Sequence, residues 1–129
     1  MSMVQTRQQR DMALALTHVR QAAATPAGDM YGSLCLSVPV LIQTNGLCQT
    51  LAFLEDKSSG KPDGAHRLLL NHIAEVLEVE PGKLLDAVRT APLMTYIHYS
   101  RRIMSAWVYY KRFSVSILNA DPTADTGGA

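Results

Sequence analysis

The chain has 129 residues, 47% of them hydrophobic, with two cysteines and a formal net charge of +1. A chain of this length and composition predicts one domain with an adequate core. Because the cysteines form no CxxC pair and no histidine stands at zinc-finger spacing, we expect neither a disulfide nor a metal site, and we expect Cys35 and Cys48 to be buried free thiols.

No segment of the sequence predicts membrane insertion or export. The longest unbroken apolar run, Val38 to Ile42, is far shorter than the roughly 20 residues that cross a bilayer. The first residues, MSMVQTRQQRDM, lack the apolar region of a secretory signal. We therefore expect a cytoplasmic protein with no membrane partner.

The first predicted helix covers Ser2 to Ala24 and ends where Pro26 disfavours helix in the residue before it. Its predicted buried face repeats every 3.6 residues and consists of Val4, Gln8, Met12, Ala15, Leu16, Val19, Ala22 and Ala23. Arg7, Arg10 and His18 fall on the opposite face. We expect that opposite face to be exposed to solvent.

The most apolar stretch, Tyr31 to Leu54, is the segment around which we expect the other helices to pack. Asp29 is the predicted N-cap of a helix that kinks or restarts at Pro39, because proline lacks a backbone donor. Asn45-Gly46 predicts a tight corner, and a second short helix follows from Leu47 to Glu55.

The second half of the chain predicts a loop, three helices and a tail. Turn-forming residues fill 56–64, and Asp63 is the predicted cap of a helix to about Val79. A short helix from Gly82 to Ala91 and a long one from Leu93 to Asn119 follow. Residues 121–129 have nothing to bury themselves against and are predicted to be disordered. We therefore predict an all-α domain over residues 1–120, a compact orthogonal or bundle-like array of about five or six helices.

Charge is distributed unevenly along the chain. Residues 55–86 carry seven carboxylates and four basic side chains, whereas residues 93–120 carry four basic side chains and no carboxylate. A near-neutral chain thus combines an acidic middle with basic ends. An uneven charge distribution of this kind is evidence about binding partners but not about the fold.

The last predicted helix carries a cationic ridge. At about 100° per residue, its narrow polar arc holds His98, Arg101, Arg102, Ser105, Tyr109, Arg112 and Ser116. Lys111 lies near the apolar boundary, and Arg7 and Arg10 repeat the signal more weakly on the first helix. Because arginine binds phosphate bidentately and tyrosine stacks on exposed bases, the ridge suits single-stranded or A-form nucleic acid. The alternative is an ordinary solvated helix face.

Residues able to support catalysis are sparse. His66 and His72 are six residues apart and fall on different faces of a helix, unlike the i, i+4 pair of an HExxH zinc site. His18 and His98 stand alone and are expected at the surface or at an interface. No GxSxG nucleophile motif occurs. We therefore expect no catalytic site, no metal, no cofactor and no small-molecule substrate.

Several motifs resemble the small all-helical subunit of type III-B CRISPR effector (Cmr) complexes. The resemblance rests on Tyr31-Gly32-Ser33-Leu34, Pro39-Val40-Leu41-Ile42, Asn45-Gly46-Leu47 with Gln49, Leu51-Ala52-Phe53-Leu54, and Tyr109-Tyr110-Lys111-Arg112-Phe113-Ser114. These matches span about Tyr31 to Ser114 in the family's order. The resemblance assigns a structural role to Tyr31, Pro39, Asn45, Gly46, Leu47 and Phe53.

The resemblance implies a non-catalytic component of RNA silencing. Copies of such a subunit stack head to tail beside the filament of backbone subunits and contact the large subunit, and their basic surface lines the channel that holds guide RNA and target RNA. This chain has Ser37 and Gln43 where family members often have basic residues. The predicted RNA contacts are therefore the ridge and first-helix residues Arg101, Arg102, Arg112, Lys111, Tyr109, His98, Arg7 and Arg10.

A second hypothesis, in which the chain binds proteins and not RNA, is consistent with the same charge distribution. The chain would then be a helical adaptor that binds only proteins, with its cationic ridge against an acidic partner or against the acidic middle of a neighbouring copy. Both hypotheses use the same arginines, so the residue pattern alone leaves both open.

Overall fold

A computed structural model describes residues 5–123, which form six α-helices, one 3₁₀ turn and no strand. The elements are α1 Arg7–Ala23, α2 Gly28–Asn45, α3 Leu47–Ser58, α4 Ala65–Leu77, the 3₁₀ turn Pro81–Lys83, α5 Leu84–Arg89 and α6 Leu93–Leu118. The predicted all-α fold with a long C-terminal helix is confirmed. The predicted helical residues 2–4 and most of the predicted tail, 124–129, lie outside the described residues.

The long helix α6 is the centre of the packing. It lies against α1 and α2 and also touches α4, while α3 packs on α2, α4 and α5. Trp107 and Tyr110 of α6 are fully buried, with stacked rings whose centroids are 4.0 Å apart. Leu34 and Val38 of α2 complete this part of the core. The segment Tyr31 to Leu54, called the hub below, forms most of α2 and α3, which together contact α1, α4, α5 and α6.

Two predicted helix caps are wrong by one or two residues. The N-cap of α2 is Ala27, and Asp29 lies in the first turn, where its carboxylate still interacts favourably with the helix dipole. The N-cap of α4 is Gly64, whose extended backbone delays the helix by one residue beyond the predicted cap at Asp63. Thr6 caps α1 in a capping box with Gln9.

The apolar helix α2 runs through Pro39 as a single element, so the predicted restart there is wrong. Proline disfavours a helix interior because it lacks an N–H donor. The buried residues of α2 nevertheless form one unbroken stripe on both sides of Pro39: Tyr31, Leu34, Cys35, Val38 and Ile42. Packing of that stripe against α3, α4 and α6 holds the helix together across the proline.

The face of α1 that is buried differs from the predicted face. Asp11 and His18 are buried beside Ala15, Val19 and Ala22, whereas Gln8 and Met12 are exposed. The helix is rotated because polar contacts, described below, draw Asp11 and His18 inward. On α6, Leu93 lies outside the predicted polar arc and is nevertheless 72% exposed. Cys48 is only partly buried, although both cysteines are free as predicted.

The corner between α2 and α3 depends on a glycine. Gly46 has φ +84° and ψ 162°, a backbone conformation that is essentially restricted to glycine. Its N–H donates to the Ile42 carbonyl at 2.8 Å, and the next helix begins at once with the buried Leu47. The Cys48 N–H donates to the Tyr96 hydroxyl at 3.1 Å, which ties the corner to α6.

We predict that Gly46→Ala lowers the free energy of unfolding by about 1–3 kcal/mol, because alanine is strained at this φ. Urea denaturation measures the change. Gly82→Ala is the matched control, because a Cβ at Gly82 meets nothing within 4 Å and its φ is not positive. Equal stability of Gly46→Ala and the wild type would show that the corner tolerates any residue.

Candidate nucleic-acid interface

The outward face of α6 carries most of the predicted ridge. His98, Arg101, Lys111 and Arg112 are exposed, and Tyr109 is half-buried against the core. Arg101 and Arg112 lie on the same line of the helix, about three turns or roughly 16 Å apart. The structure therefore brings these predicted residues together on one side of one helix.

Arg102 does not belong to this surface. Its side chain is only 5% exposed and forms a bidentate ion pair with Asp11 of α1, at 2.7 and 2.6 Å. The guanidinium thus points into the α1–α6 interface and away from solvent. The prediction of Arg102 as an RNA contact is wrong, because the count of charges on α6 ignored a carboxylate on a helix 91 residues away.

A signal for this pair was present in the sequence. Asp11 is the only carboxylate of the first helix, and it stands at helical spacing from Ala15, His18 and Ala22, all of which are buried. A lone acid within a buried stripe implies a buried cation nearby, because an unpaired charge in a core is very costly.

The two arginines of the first helix that were predicted to contact RNA have different surroundings. Arg7 is exposed and has no ion pair among the described residues. The Arg10 guanidinium lies 3.4 Å from the carboxylate of Glu78 at the end of α4, and the two side chains are 41% and 73% exposed. Exposed pairs of this kind contribute about 0–1 kcal/mol, so Arg10 is only weakly held.

Most cations in or next to the acidic middle form ion pairs, whereas most cations of α1 and α6 do not. Near the acidic middle, Arg67 pairs with Glu55, Lys83 with Glu80 and Arg89 with Asp86. The cations of α1 and α6 that form no ion pair with any described residue are Arg7, Arg20, Arg101, Lys111 and Arg112. Unpaired positive charge is therefore concentrated on α1 and α6.

The signature residues of the hub have structural surroundings. Tyr31 and Leu47 are buried, and Gly46 makes the corner described above. Phe53 is half-buried against the core with the Lys57 ammonium 5.7 Å from its ring centre. Ser37, which replaces a basic residue of the family pattern, is buried at 5% exposure.

Two histidines stack inside the core, contrary to the prediction that His18 is at the surface or at an interface. The rings of His18 and His72 are parallel within 2°, with centroids 3.7 Å apart. The Tyr110 hydroxyl lies 2.6 Å from His18 Nδ1, and the Tyr31 hydroxyl lies 2.6 Å from His72 Nδ1. This cluster joins α1, α2, α4 and α6. The spacing of His66 and His72 along one helix could not predict this cluster, because its members come from different helices.

The hydrogen-bond partners define the tautomers of both histidines. Gln21 Oε1 and the Glu75 carboxylate are acceptors, at 3.0 and 3.3 Å, so the Nε2–H groups of His72 and His18 donate to them. Each Nδ1 therefore accepts from a tyrosine hydroxyl. Burial raises the pKa values of Tyr31 and Tyr110, which keeps both hydroxyls protonated as donors.

Burial also keeps both imidazoles neutral. It lowers the pKa of His72 to about 3, with a further contribution from the adjacent His18. Burial lowers the pKa of His18 as well, although Glu75 opposes the shift. Cys35, next to this cluster, is fully buried and its pKa is raised to about 12, so it is an unreactive thiol. The cluster is a satisfied part of the core, enclosed by four helices.

Neither a metal site nor a membrane helix is found in the described part of the chain. Within residues 5–123, no group of three or more His, Cys, Asp or Glu side chains is placed to hold a metal ion. No helix in the same range combines the length and the apolar character that crossing a bilayer requires.

A family model described as "CRISPR-associated protein (Cas_Cmr5)" matches residues 7–117. The chain belongs to the Cmr5 family. A Thermus thermophilus protein described as "CRISPR system Cmr subunit Cmr5" is 34% identical over 116 residues, covering 89% of this chain and 98% of that protein. The crystal structure of a CRISPR-associated Cmr5 family protein from the same organism superposes with a TM-score of 0.78 at 32% identity, covering 89% of this chain and 99% of that one. The resemblance found in the sequence is confirmed.

We predict that Asp11→Ala lowers the free energy of unfolding of this Cmr5-family chain by about 3–5 kcal/mol, because it leaves the Arg102 guanidinium buried without a counter-ion. Urea denaturation measures the loss. The double variant Asp11→Leu with Arg102→Met should recover most of it, since apolar residues of similar size remove both charges. Arg101→Ala, the exposed neighbour, is the control and should stay within about 0.5 kcal/mol of the wild type.

We predict that acid destabilises the protein through the stacked histidines. Their pKa values in the folded state lie below the ordinary 6.5, so the unfolded chain binds more protons below that pH. The stability they contribute is complete above pH 6.5 and falls with pH, down to about pH 3 for His72. For His72, whose pKa is shifted far, the loss approaches roughly 1.4 kcal/mol per pH unit.

Replacing one ring tests this origin of the acid sensitivity. His72→Gln should give a flatter dependence of the unfolding free energy on pH between about pH 4 and 6, whatever its absolute stability. His98→Gln removes an exposed imidazole and should leave the dependence unchanged. Parallel pH curves for His72→Gln and the wild type would contradict the prediction.

Proposed function

We propose that the chain is a non-catalytic small subunit of an RNA-guided Cmr effector complex and contacts guide or target RNA through the exposed face of α6. Membership of the Cmr5 family supports the assignment to a Cmr complex. The observation that carries the RNA contact is the pairing pattern. Arg101, Lys111 and Arg112 are exposed and form no ion pair with a described residue, whereas Arg67, Lys83 and Arg89, near the acidic middle, each pair with a local carboxylate.

The proposed mechanism of binding is electrostatic. Arg101 and Arg112, on one line of α6, donate to phosphate oxygens at two points along a strand. His98 and the half-buried Tyr109 add polar contacts beside those points, and Lys111 adds charge at the edge. Arg7 and the weakly paired Arg10 extend the surface onto α1. Such contacts are independent of sequence, which suits a complex in which base pairing with the guide reads the target.

The proposed assembly follows the family resemblance. Copies of the chain stack head to tail beside the backbone subunits and contact the large subunit, in the cytoplasm. The charge asymmetry of the chain supports a head-to-tail arrangement, because a heterologous contact joins two different surfaces of the same molecule. Cleavage is assigned to other subunits, since the titratable groups buried here are held in a hydrogen-bonded core cluster.

A specific observation also favours the adaptor hypothesis. Val108 and Val115 are 57% and 39% exposed on α6, on either side of Lys111 and Arg112. Phosphate contacts need no apolar neighbours. The part of the α6 surface around Val108 and Val115 therefore has the composition of a protein interface.

We predict that Arg7→Glu with Arg101→Glu leaves folding and assembly intact but weakens target-RNA capture at least tenfold. The logarithm of the binding constant should also depend less steeply on the logarithm of salt concentration, by about one to two, because two phosphate contacts are lost. Fluorescence anisotropy with labelled target RNA and the assembled complex measures both quantities.

The control is Lys83→Glu with Arg89→Glu, which makes the same change in net charge at two exposed cations near the acidic middle. It should leave the slope unchanged. Arg102 is unsuitable for the test, since a glutamate beside Asp11 would unfold the protein. Lost assembly with unchanged RNA affinity per assembled complex would reject RNA contact and support the adaptor.

A further inference from the structure

An open groove lies between α2 and the C-terminal half of α6. It encloses a cavity of ≈ 460 Å³, and its apolar lining consists of Leu36, Val108, Val115 and Pro122. Lys111 and Arg112 lie at the same groove, whose lining includes no carboxylate. Val40, one turn beyond Leu36 on α2, is 59% exposed and extends the apolar surface. The groove thus combines an aliphatic floor with a rim whose only charged residues are Lys111 and Arg112.

We propose that this groove binds an acidic, apolar segment of a companion protein in the Cmr assembly. The proposal rests on the assembly part of the proposed function and adds a surface and a partner chemistry to it. Aliphatic side chains of the segment would cover Val108 and Val115, as in the helix-in-groove mode of peptide recognition. Its carboxylates would meet Lys111 and Arg112, which have no ion pair among the described residues.

RNA is a poor occupant for this part of α6. Phosphate oxygens have no apolar group that could cover the exposed valines. Bases bind to proteins mainly by stacking on aromatic rings or on guanidinium planes. The floor of the groove is aliphatic, with no aromatic side chain in its lining, and the one guanidinium at the groove, that of Arg112, lies at its rim. The RNA contacts proposed above therefore concern the charged ridge, and the groove requires a partner with apolar side chains.

A second copy of the chain also fits poorly. Pairing α6 with α6 would bring two cationic surfaces together. The acidic surface of another copy carries Glu78, Glu80 and Asp86, whose exposed ion pairs are weak, so the apolar side of the contact decides the comparison. None of the exposed large hydrophobic residues in the described range lies on α3, α4 or α5, so that acidic surface offers no apolar side chain of this kind to the groove.

The chain's own final residues lack the required chemistry. Pro122 reaches the groove, and the sequence that follows at 124–129 is ADTGGA. This segment has one aspartate and no large apolar residue. A separate protein that supplies both acidic and aliphatic side chains satisfies the groove better.

Removing the apolar floor tests the proposal in the complex purified with its companion subunits. We expect Val108→Ser with Val115→Ser to raise at least tenfold the amount of this subunit needed for half-occupancy of the complex. Both positions are exposed, so the isolated chain should keep its thermal midpoint. Leu93→Ser, which removes an exposed aliphatic side chain from the other end of the same helix, is the matched control. Unchanged incorporation of the double variant would overturn the proposal.

A photo-crosslinker identifies the occupant directly. With p-benzoylphenylalanine at Val108 in the assembled complex, mass spectrometry should find the crosslink on a companion-subunit peptide that carries net negative charge and aliphatic residues. A crosslink to RNA, to a second copy of the chain or to nothing would overturn the proposal.

The groove and the RNA-binding surface can fail independently. The valine substitutions change no charge, so RNA capture per assembled complex and its salt dependence should match the wild type. Arg7 and Arg101 lie outside the groove, so loss of RNA capture in Arg7→Glu with Arg101→Glu would not affect a crosslink formed at Val108. Weakened incorporation with normal RNA capture would therefore support the groove as a protein-docking surface, separate from the proposed RNA contact.

Discussion

The buried ion pair between Asp11 and Arg102 sets the rotation of α6 about its own axis. The two side chains meet through two short hydrogen bonds in the α1–α6 interface, and neither has appreciable solvent access. Turning α6 would expose one charge and leave the other buried and unpaired, at a cost of several kcal/mol. With Arg102 held inward, Arg101 and Arg112 must face solvent. The pair thus determines which arginines are available to a partner.

The stacked histidines give the same region a second constraint. The apolar part of the buried face of α1 is short, with alanines at 15 and 22, so α1 gains little from hydrophobic burial alone. His18 instead connects α1 to Tyr110 of α6 and to His72 of α4, and Tyr31 completes the cluster from α2. A fully satisfied polar cluster of this kind favours one relative arrangement of four helices, because any shift leaves buried groups without partners.

Sequence reasoning predicted the fold better than the site. Apolar periodicity predicts α3 to α6 within a few residues, because each of these helices buries its hydrophobic stripe. It identifies α1 as a helix but predicts the wrong buried face, because Asp11 and His18 are buried through partners on distant helices, whereas a pattern rule places polar residues in solvent. The resemblance to the Cmr family rests mainly on the hub motifs, most of whose residues are buried or partly buried. The wrong predictions for Arg102 and for Asp11 have the same origin. The two residues pair with each other inside the core, and the pattern of a single helix does not show that pairing.

Net charge describes the electrostatics of this chain less well than ion pairing does. The formal charge is only +1, yet several carboxylates of the acidic middle are paired with nearby cations, and Asp11 neutralises Arg102 inside the core. The arginines of α1 and α6 that form no ion pair with a described residue therefore carry the positive charge available to a partner. One copy has too few of them for strong binding to a polyanion. Under the proposed stacking, each added copy presents Arg101 and Arg112 at a fixed interval along the same strand. Binding then becomes multivalent, and the affinity of the array exceeds that of any single subunit without a new kind of contact.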